Sequence, residues 1–347
     1  MIDLRSDTVT KPTPAMRAAM ANAEVGDDVY GEDVTMRKLE ETAAQLFHKE
    51  AAIFVTSGTQ GNQVAVLTHM KRGEEVIVEA DSHVFYYELG AMSSLAGVQA
   101  RQVPGVRGQM APHDVEKAIR KENIHFPRTS LICLENTHNR AGGAVLPLSH
   151  MQAIADLAKA HHLPVHLDGA RIFNASVAAG VSLGAYGDTV DTLQVCLSKG
   201  LAAPVGSLLV GPKAFIEEAK RWRKALGGGL RQSGVLAAPG LIALTEMVDR
   251  LADDHRRAKE LANAFANMAG LRVDLSTVMT NIVIIDINEL TCTSDAFLQE
   301  LLTNGVIASD FDDGKIRFVT HLGIEDEDIT RTIDIVANVV KQHTVHA

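Results

Sequence analysis

Between residues 51 and 209 short apolar, β-rich runs alternate with stretches patterned for helices. That alternation restricts the chain to βαβ units around a mostly parallel sheet. The predicted strands are 52–55, 75–78, 130–134, 164–167, 193–197 and 207–210, and most end in a polar cluster. These clusters are Ser57-Gly58-Thr59-Gln60, Ala80-Asp81-Ser82-His83, Glu135-Asn136-Thr137-His138, Asp168-Gly169-Ala170-Arg171 and Ser198-Lys199-Gly200. In open α/β sheets ligands bind beyond the carboxyl ends of the strands, so the clusters are expected to converge on one crevice.

Residues 154–160 and 215–224 carry helical spacing and read as covering helices, and 236–251 reads as one long helix linking two domains. Beyond it, strands are expected at 281–287 and 315–319, with helices at 295–303 and 326–341. At 347 residues the chain exceeds the roughly 250–300 residues at which a single core stops growing. The expected architecture is α/β: a doubly wound, mostly parallel large domain over residues 1–240 and a smaller α+β domain over 241–347.

A formal charge of -10 disfavours nucleic acid and anionic membranes, which recruit concentrated Lys and Arg, and points to a small-molecule substrate. Cys133, Cys196 and Cys292 stand far apart in no metal-ligand spacing, so buried, reduced thiols are expected. The opening Met1-Ile2-Asp3-Leu4-Arg5-Ser6-Asp7 carries charge where a signal peptide needs an apolar run, and no stretch reaches the roughly 18 apolar residues of a span. A cytoplasmic protein is the expectation.

The chain contains no G-x-G-x-x-G after a strand, no G-x-x-x-x-G-K-[ST] and no H-E-x-x-H. Asp168 and Lys199 instead each follow an apolar strand. A lone lysine there is usually a solvated surface group. Paired with Asp168 it suits pyridoxal phosphate: an amine for the cofactor aldehyde and a carboxylate for the ring nitrogen. Ser57-Gly58-Thr59-Gln60-Gly61-Asn62 lies between a strand and a predicted helix, where free N–H groups and hydroxyls suit a phosphate. His83 is placed to stack on the ring.

The chain resembles the low-specificity L-threonine aldolases, which have the aspartate aminotransferase type of pyridoxal-phosphate fold. The match runs nearly end to end. It is carried by Asp3-Leu4-Arg5-Ser6-Asp7-Thr8-Val9-Thr10, Gly26-Asp27-Asp28-Val29-Tyr30-Gly31, Leu134-Glu135-Asn136-Thr137-His138-Asn139, Asp168-Gly169-Ala170-Arg171-Ile172-Phe173-Asn174, Cys196-Leu197-Ser198-Lys199-Gly200 and Gly227-Gly228-Gly229-Leu230-Arg231-Gln232.

The resemblance implies cleavage of threonine-type β-hydroxy amino acids to glycine and an aldehyde. Lys199 would carry the cofactor, Asp168 pair with its ring nitrogen, His83 stack on it, and Gly58 and Thr59 hold its phosphate. Ser6, Arg171 and Arg317 would take the substrate carboxylate, with His83 and His125 near its hydroxyl. The general base is left among His83, His125, Glu88 and an ordered water. Tyr30 and Arg231 would approach from a neighbouring subunit of a homotetramer. The hydroxyls of Thr8, Thr10 and Ser198 make a weak cation site without carboxylates, and no metal is expected. One stretch departs from the family: Asn139-Arg140-Ala141-Gly142-Gly143-Ala144-Val145-Leu146-Pro147 is longer than the usual Asn-Gly-Lys-Val-Leu-Pro, which leaves the loop path and aldehyde preference open.

Overall fold

A computed structural model describes residues 1–344. Among these residues the main sheet has seven strands, in the spatial order Ala51–Val55, Ser207–Gly211, Thr192–Cys196, Val165–Gly169, Thr129–Glu135, Glu75–Glu79 and Gln99–Val103. Ser207–Gly211 runs antiparallel to both neighbours, and the other strands run one way. The reversal follows from chain length. The 197–206 connection is too short for a crossover, which takes about a dozen residues or more, so the chain after Lys199 turns straight back.

Side chains alternate across the sheet with period two. Phe54, Ile77, Ile132, Leu134, Leu167 and Leu208 enter one core, while Val76, Val78, Leu131 and Cys133 enter a second and Ile53, Val55 and Leu209 a third on the far side. Helices cover both faces, among them Gly58–His69, Leu148–Ala160 and Lys213–Ala225. Strands buried on both faces carry near-continuous apolar runs, which is why they are legible. Gln99–Val103 was not expected from the sequence. It is an edge strand paired with Glu75–Glu79 and largely exposed, so its Gln-Ala-Arg-Gln-Val composition lacks that signal.

The single helix expected over 236–251 is instead two, Gly234–Glu246 and Leu251–Ala266. The break lies between two cores. Leu244, Met247 and Leu251 pack into the large one. Ala258, Leu261 and Phe265 pack into a separate cluster with Val283, Phe297, Phe318 and Val336. Arg250 holds the corner, bonding Asp254 Oδ2 at 3.0 Å and the Gly200 carbonyl at 3.4 Å. Ile2 and Leu4 also join the second cluster, and Ile2–Asp3 pairs in parallel with Val306–Ile307. The strands Ile282–Asp286, Lys315–Val319 and Ser309–Asp312 form an antiparallel sheet there. No helix among the described residues is long and apolar enough to cross a membrane.

The return turn after Lys199 depends on Gly206. Its φ is 101°, its carbonyl accepts the Leu197 amide at 3.1 Å, and an added Cβ would lie 2.2 Å from Phe54 Cε2. Gly206→Ala is expected to cost roughly 2–4 kcal/mol through left-handed strain and overpacking. Denaturant unfolding checks this, and an unchanged midpoint would contradict it.

Candidate active site

The chain's carboxyl-end clusters do meet. A crevice of about 390 Å³ is lined by Ser6, Thr8, His83, Tyr87, Asn139, Arg171, Lys199, Ser309, Asp310, Phe311 and Arg317. Register explains part of the convergence, since Glu135, Asp168 and Gln194 stand side by side on adjacent parallel strands.

Asp168 is 3% exposed, and a carboxylate so placed needs donors in place of water. Oδ1 accepts Gln194 Nε2 at 3.0 Å and the Ala170 amide at 3.0 Å, and Oδ2 accepts Asn62 Nδ2 at 2.8 Å. Asn62 also donates to Glu88 Oε1 at 2.8 Å, so both its amide hydrogens go to carboxylates. Its Oδ1 therefore faces His166 Nε2, at 3.2 Å, which must donate. His166 Nδ1 then accepts from the Thr192 hydroxyl at 2.9 Å, and that hydroxyl accepts from His69 Nε2 at 2.8 Å. Every donor in this buried chain points toward Asp168.

His83 opens the short helix His83–Tyr86. Its amide donates to Glu135 Oε2 at 2.6 Å, and Glu135 Oε1 accepts the Asn139 amide at 2.8 Å, so one carboxylate ties two clusters together. His83 Nδ1 lies 3.0 Å from Glu88 Oε1 and 3.9 Å from Asp168 Oδ2. Burial alone would lower the His83 pKa, but the Glu88 hydrogen bond and the charges of Asp168 and Glu135 raise it above its ordinary value. Burial raises Glu88 in turn. His83, Glu88 and Asp168 could together present ligand atoms to a metal ion. In this structure the two carboxylates are instead solvated by the Asn62, Gln63, Gln194 and Ala170 donors.

At the other end of the crevice, Arg171 Nε and Nη2 each bond the buried Asp7 carboxylate at 2.7 Å. Burial would raise Asp7, yet the Arg171 guanidinium overrides it and holds the group well below the carboxylate range. Arg171 Nη1 and Arg317 Nη1 both reach Asn139 Oδ1, at 3.4 and 3.2 Å. Arg317 Nε is buried without a hydrogen-bond partner among the described residues, and burial and the neighbouring Arg171 lower the Arg317 pKa. Two guanidinium groups crowded on one carbonyl oxygen favour an anion between them.

Ser57 Oγ caps Gly58–His69 by accepting the Gln60 amide at 3.1 Å. The first amides of a helix have no intrahelical acceptor, so those of Gly58 and Thr59, beside the Thr59 hydroxyl, form a donor set suited to phosphate. Asn62, on the next turn of that helix, holds Asp168. The helix amino terminus at Gly58 and Thr59, the buried Asp168 carboxylate and the Lys199 amine are the groups that suit a phosphorylated ring bearing an aldehyde.

Six expected site residues do not line this crevice: Asp168 is buried beside His83, Gly58 and Thr59 open the helix Gly58–His69, and His125, Tyr30 and Arg231 lie on the surface. His125 is exposed in the 119–128 segment that precedes Thr129–Glu135, at the amino end of a strand whose carboxyl end faces the crevice. Tyr30 is 77% exposed and lines another cavity with Lys224 and Gly229. Arg231 pairs with Asp27 at 3.0 Å on the exposed surface. Conversely Asn62, Gln194, Asp7, Glu135 and Asn139 do positioning that the sequence reading did not assign. The strand-terminal carboxylate Glu135 carried the same signal as Asp168. Of the cysteines, Cys133 and Cys196 are buried and Cys292 is half-buried, all unpaired.

A family model for beta-eliminating lyases matches residues 3–289. The chain is 48% identical over 333 residues to a probable low-specificity L-threonine aldolase of Arabidopsis thaliana, covering 94% of each chain. It is 43% identical over 330 residues to the low specificity L-threonine aldolase of Escherichia coli strain K12, covering 95% of this chain and 96% of that one. A threonine aldolase of Leishmania major superposes with a TM-score of 0.84 at 20% identity, over 98% of this chain and 100% of that one. A mutant aspartate aminotransferase of Thermus thermophilus superposes with a TM-score of 0.72 at 18% identity, over 97% and 96%. These two solved structures share the fold.

The buried histidines make the site acid-labile. Burial lowers His69 from its ordinary 6.5 to about 4 and His166 to about 3. Both folded values are depressed, so stability is full above pH 6.5 and falls as the unfolded chain takes up protons that the folded chain refuses until about pH 4 and 3. His166→Asn should reduce the stability lost between neutral and mildly acid pH by about 1–2 kcal/mol. An identical loss in variant and parent, followed by denaturant unfolding, would contradict the assignment.

Proposed function

This chain belongs to the beta-eliminating lyase family and, within it, to the low-specificity L-threonine aldolases, which use pyridoxal phosphate; from that premise we propose that it cleaves L-threonine and L-allo-threonine reversibly to glycine and acetaldehyde. The observation that carries the reading is one crevice presenting Lys199, His83, Ser6, Arg171 and Arg317 together, with Asp168 buried beside His83.

In this proposal Lys199 would carry the cofactor, Asp168 would pair with its ring nitrogen, His83 would stack on the ring, and Gly58 and Thr59 would hold its phosphate. The bound cofactor withdraws electrons from the bond that breaks at the substrate Cα. Arg171, fixed by Asp7, and Arg317 line the crevice and offer their guanidinium groups to the substrate carboxylate beside Ser6. Holding the carboxylate at two points restricts rotation about the Cα–N bond, and that rotation selects which bond is weakened. The proton of the β-hydroxyl passes to His83 Nε2, since Nδ1 is engaged by Glu88. His125 then acts only if a neighbouring copy brings it in. The exposed positions of Tyr30 and Arg231 support a homotetramer in which neighbours complete each site. In the same reading residues 1–240 form the cofactor-bearing domain, residues 241–347 form the domain that closes over the carboxylate, and the enzyme works in the cytoplasm.

Purified protein loaded with cofactor and given each threonine diastereomer should release glycine and acetaldehyde in equal amounts. Keto-acid formation instead would mark an aminotransferase. The His83 pKa lies above 6.5, so kcat/KM is expected to rise with pH along a limb set above that value. Glu88→Gln removes the charge that raises it and should move the limb to lower pH, while His83→Phe should cost about 10²–10⁴-fold. A loss under about tenfold in His83→Phe would transfer the base role to Glu88, water or the neighbour's histidine.

A further inference from the structure

Arg140 stands in the loop after Thr129–Glu135, and its guanidinium collects contacts from three segments. Nη1 donates to the Tyr87 hydroxyl at 3.0 Å, and Nη2 bonds both Asp312 oxygens at 3.1 and 3.0 Å. Nε lies 3.6 Å from Asp81 Oδ1. The plane sits 4.3 Å from the Tyr86 ring centroid and 5.3 Å from that of Phe311, whose ring also neighbours Arg317 at 5.8 Å. The Arg140 side chain is only 11% exposed. A lone pair with a half-open aspartate would be a surface ion pair of small worth, whereas a planar fork with aromatic rings beside it and donors committed on its edge is a structural fixture.

The fixture lies between two cavities. Tyr87 and Phe311 wall the crevice that holds Lys199. Arg140, Phe311, Asp81 and Asp312 line a larger cavity of about 520 Å³ next to it. Phe311 belongs to both walls. Tyr87 stands 5.5 Å, ring to ring, from His83, the residue placed at the β-hydroxyl. The aromatic wall therefore meets whatever substituent the substrate carries beyond Cβ.

We propose that Arg140 is a positioning residue that holds Tyr87 and Phe311 as a partition between these cavities and so limits the size of the aldehyde the enzyme releases. This rests on the threonine aldolase reading above. Shortening the side chain frees the Tyr87 hydroxyl, removes the cation from one face of Phe311, and opens the crevice into the neighbouring space. Arg140→Lys keeps the charge but loses the fork and the flat face, so charge alone should not restore the partition.

The test is the ratio of kcat/KM for L-threo-phenylserine to that for L-threonine, measured on cofactor-loaded enzyme whose visible absorption band is intact. The ratio is expected to rise about tenfold or more in Arg140→Ala, to rise in the same direction in Asp312→Asn, and not to return to the parent value in Arg140→Lys. A ratio within about threefold of the parent in Arg140→Ala overturns the proposal. If that variant fails to hold cofactor, Arg140→Met is judged by the same threshold. A parent enzyme that releases no acetaldehyde from threonine would sink the functional reading itself, an outcome separate from the behaviour of the ratio.

Discussion

A carboxylate at Asp168, almost wholly removed from water, is the constraint around which the site is organised. Burying such a group without donors costs several kcal/mol. The chain offsets this with an amide from a neighbouring strand, an amide from the helix Gly58–His69, and a backbone N–H from its own turn. The helix amide is held in turn by His166, Thr192 and His69, whose donor directions are fixed by counting hydrogens. The helix whose amino terminus is the proposed anion seat is thus the same helix that holds the Asp168 carboxylate. In the proposed reading, phosphate seat and ring contact are set by one element.

The parallel sheet supplies the rest by register. Adjacent strands ending at the same level put Glu135, Asp168 and Gln194 in one row. The short reversal into Ser207–Gly211 leaves Lys199 just past the carboxyl end of Thr192–Cys196, on the wall of the crevice. The opposite wall comes from the second core, where Arg317 lies on Lys315–Val319 and Phe311 on Ser309–Asp312. Asp7 joins the two sides: it fixes Arg171 and also accepts Asn281 at 3.2 Å. The two arginines of the crevice therefore come from different cores, Arg171 from the large one and Arg317 from the second.

The strand ends were legible in the sequence because buried parallel strands are written as apolar runs, so the first ionisable residue after each run stands out, as Asp168 and Lys199 do. Asn62 and Gln194 were not legible. A polar amide inside a helix or a strand looks the same in sequence whether it faces water or a buried carboxylate. Gln99–Val103 was lost because an exposed edge strand need not be apolar. The helix break near Met247 was lost because both halves carry helical spacing, and only the presence of two cores requires the corner. His125, Tyr30 and Arg231 were assigned by resemblance alone, and in the fold they lie on exposed surface away from the crevice.

The central claim, that the crevice beside Asp168 is the cofactor site and Lys199 its point of attachment, can be read directly by reducing the cofactor-loaded protein with borohydride and mapping the modified peptide by mass spectrometry. The cofactor mass is predicted on Lys199 alone. Its appearance on another lysine, or on none, would contradict the account.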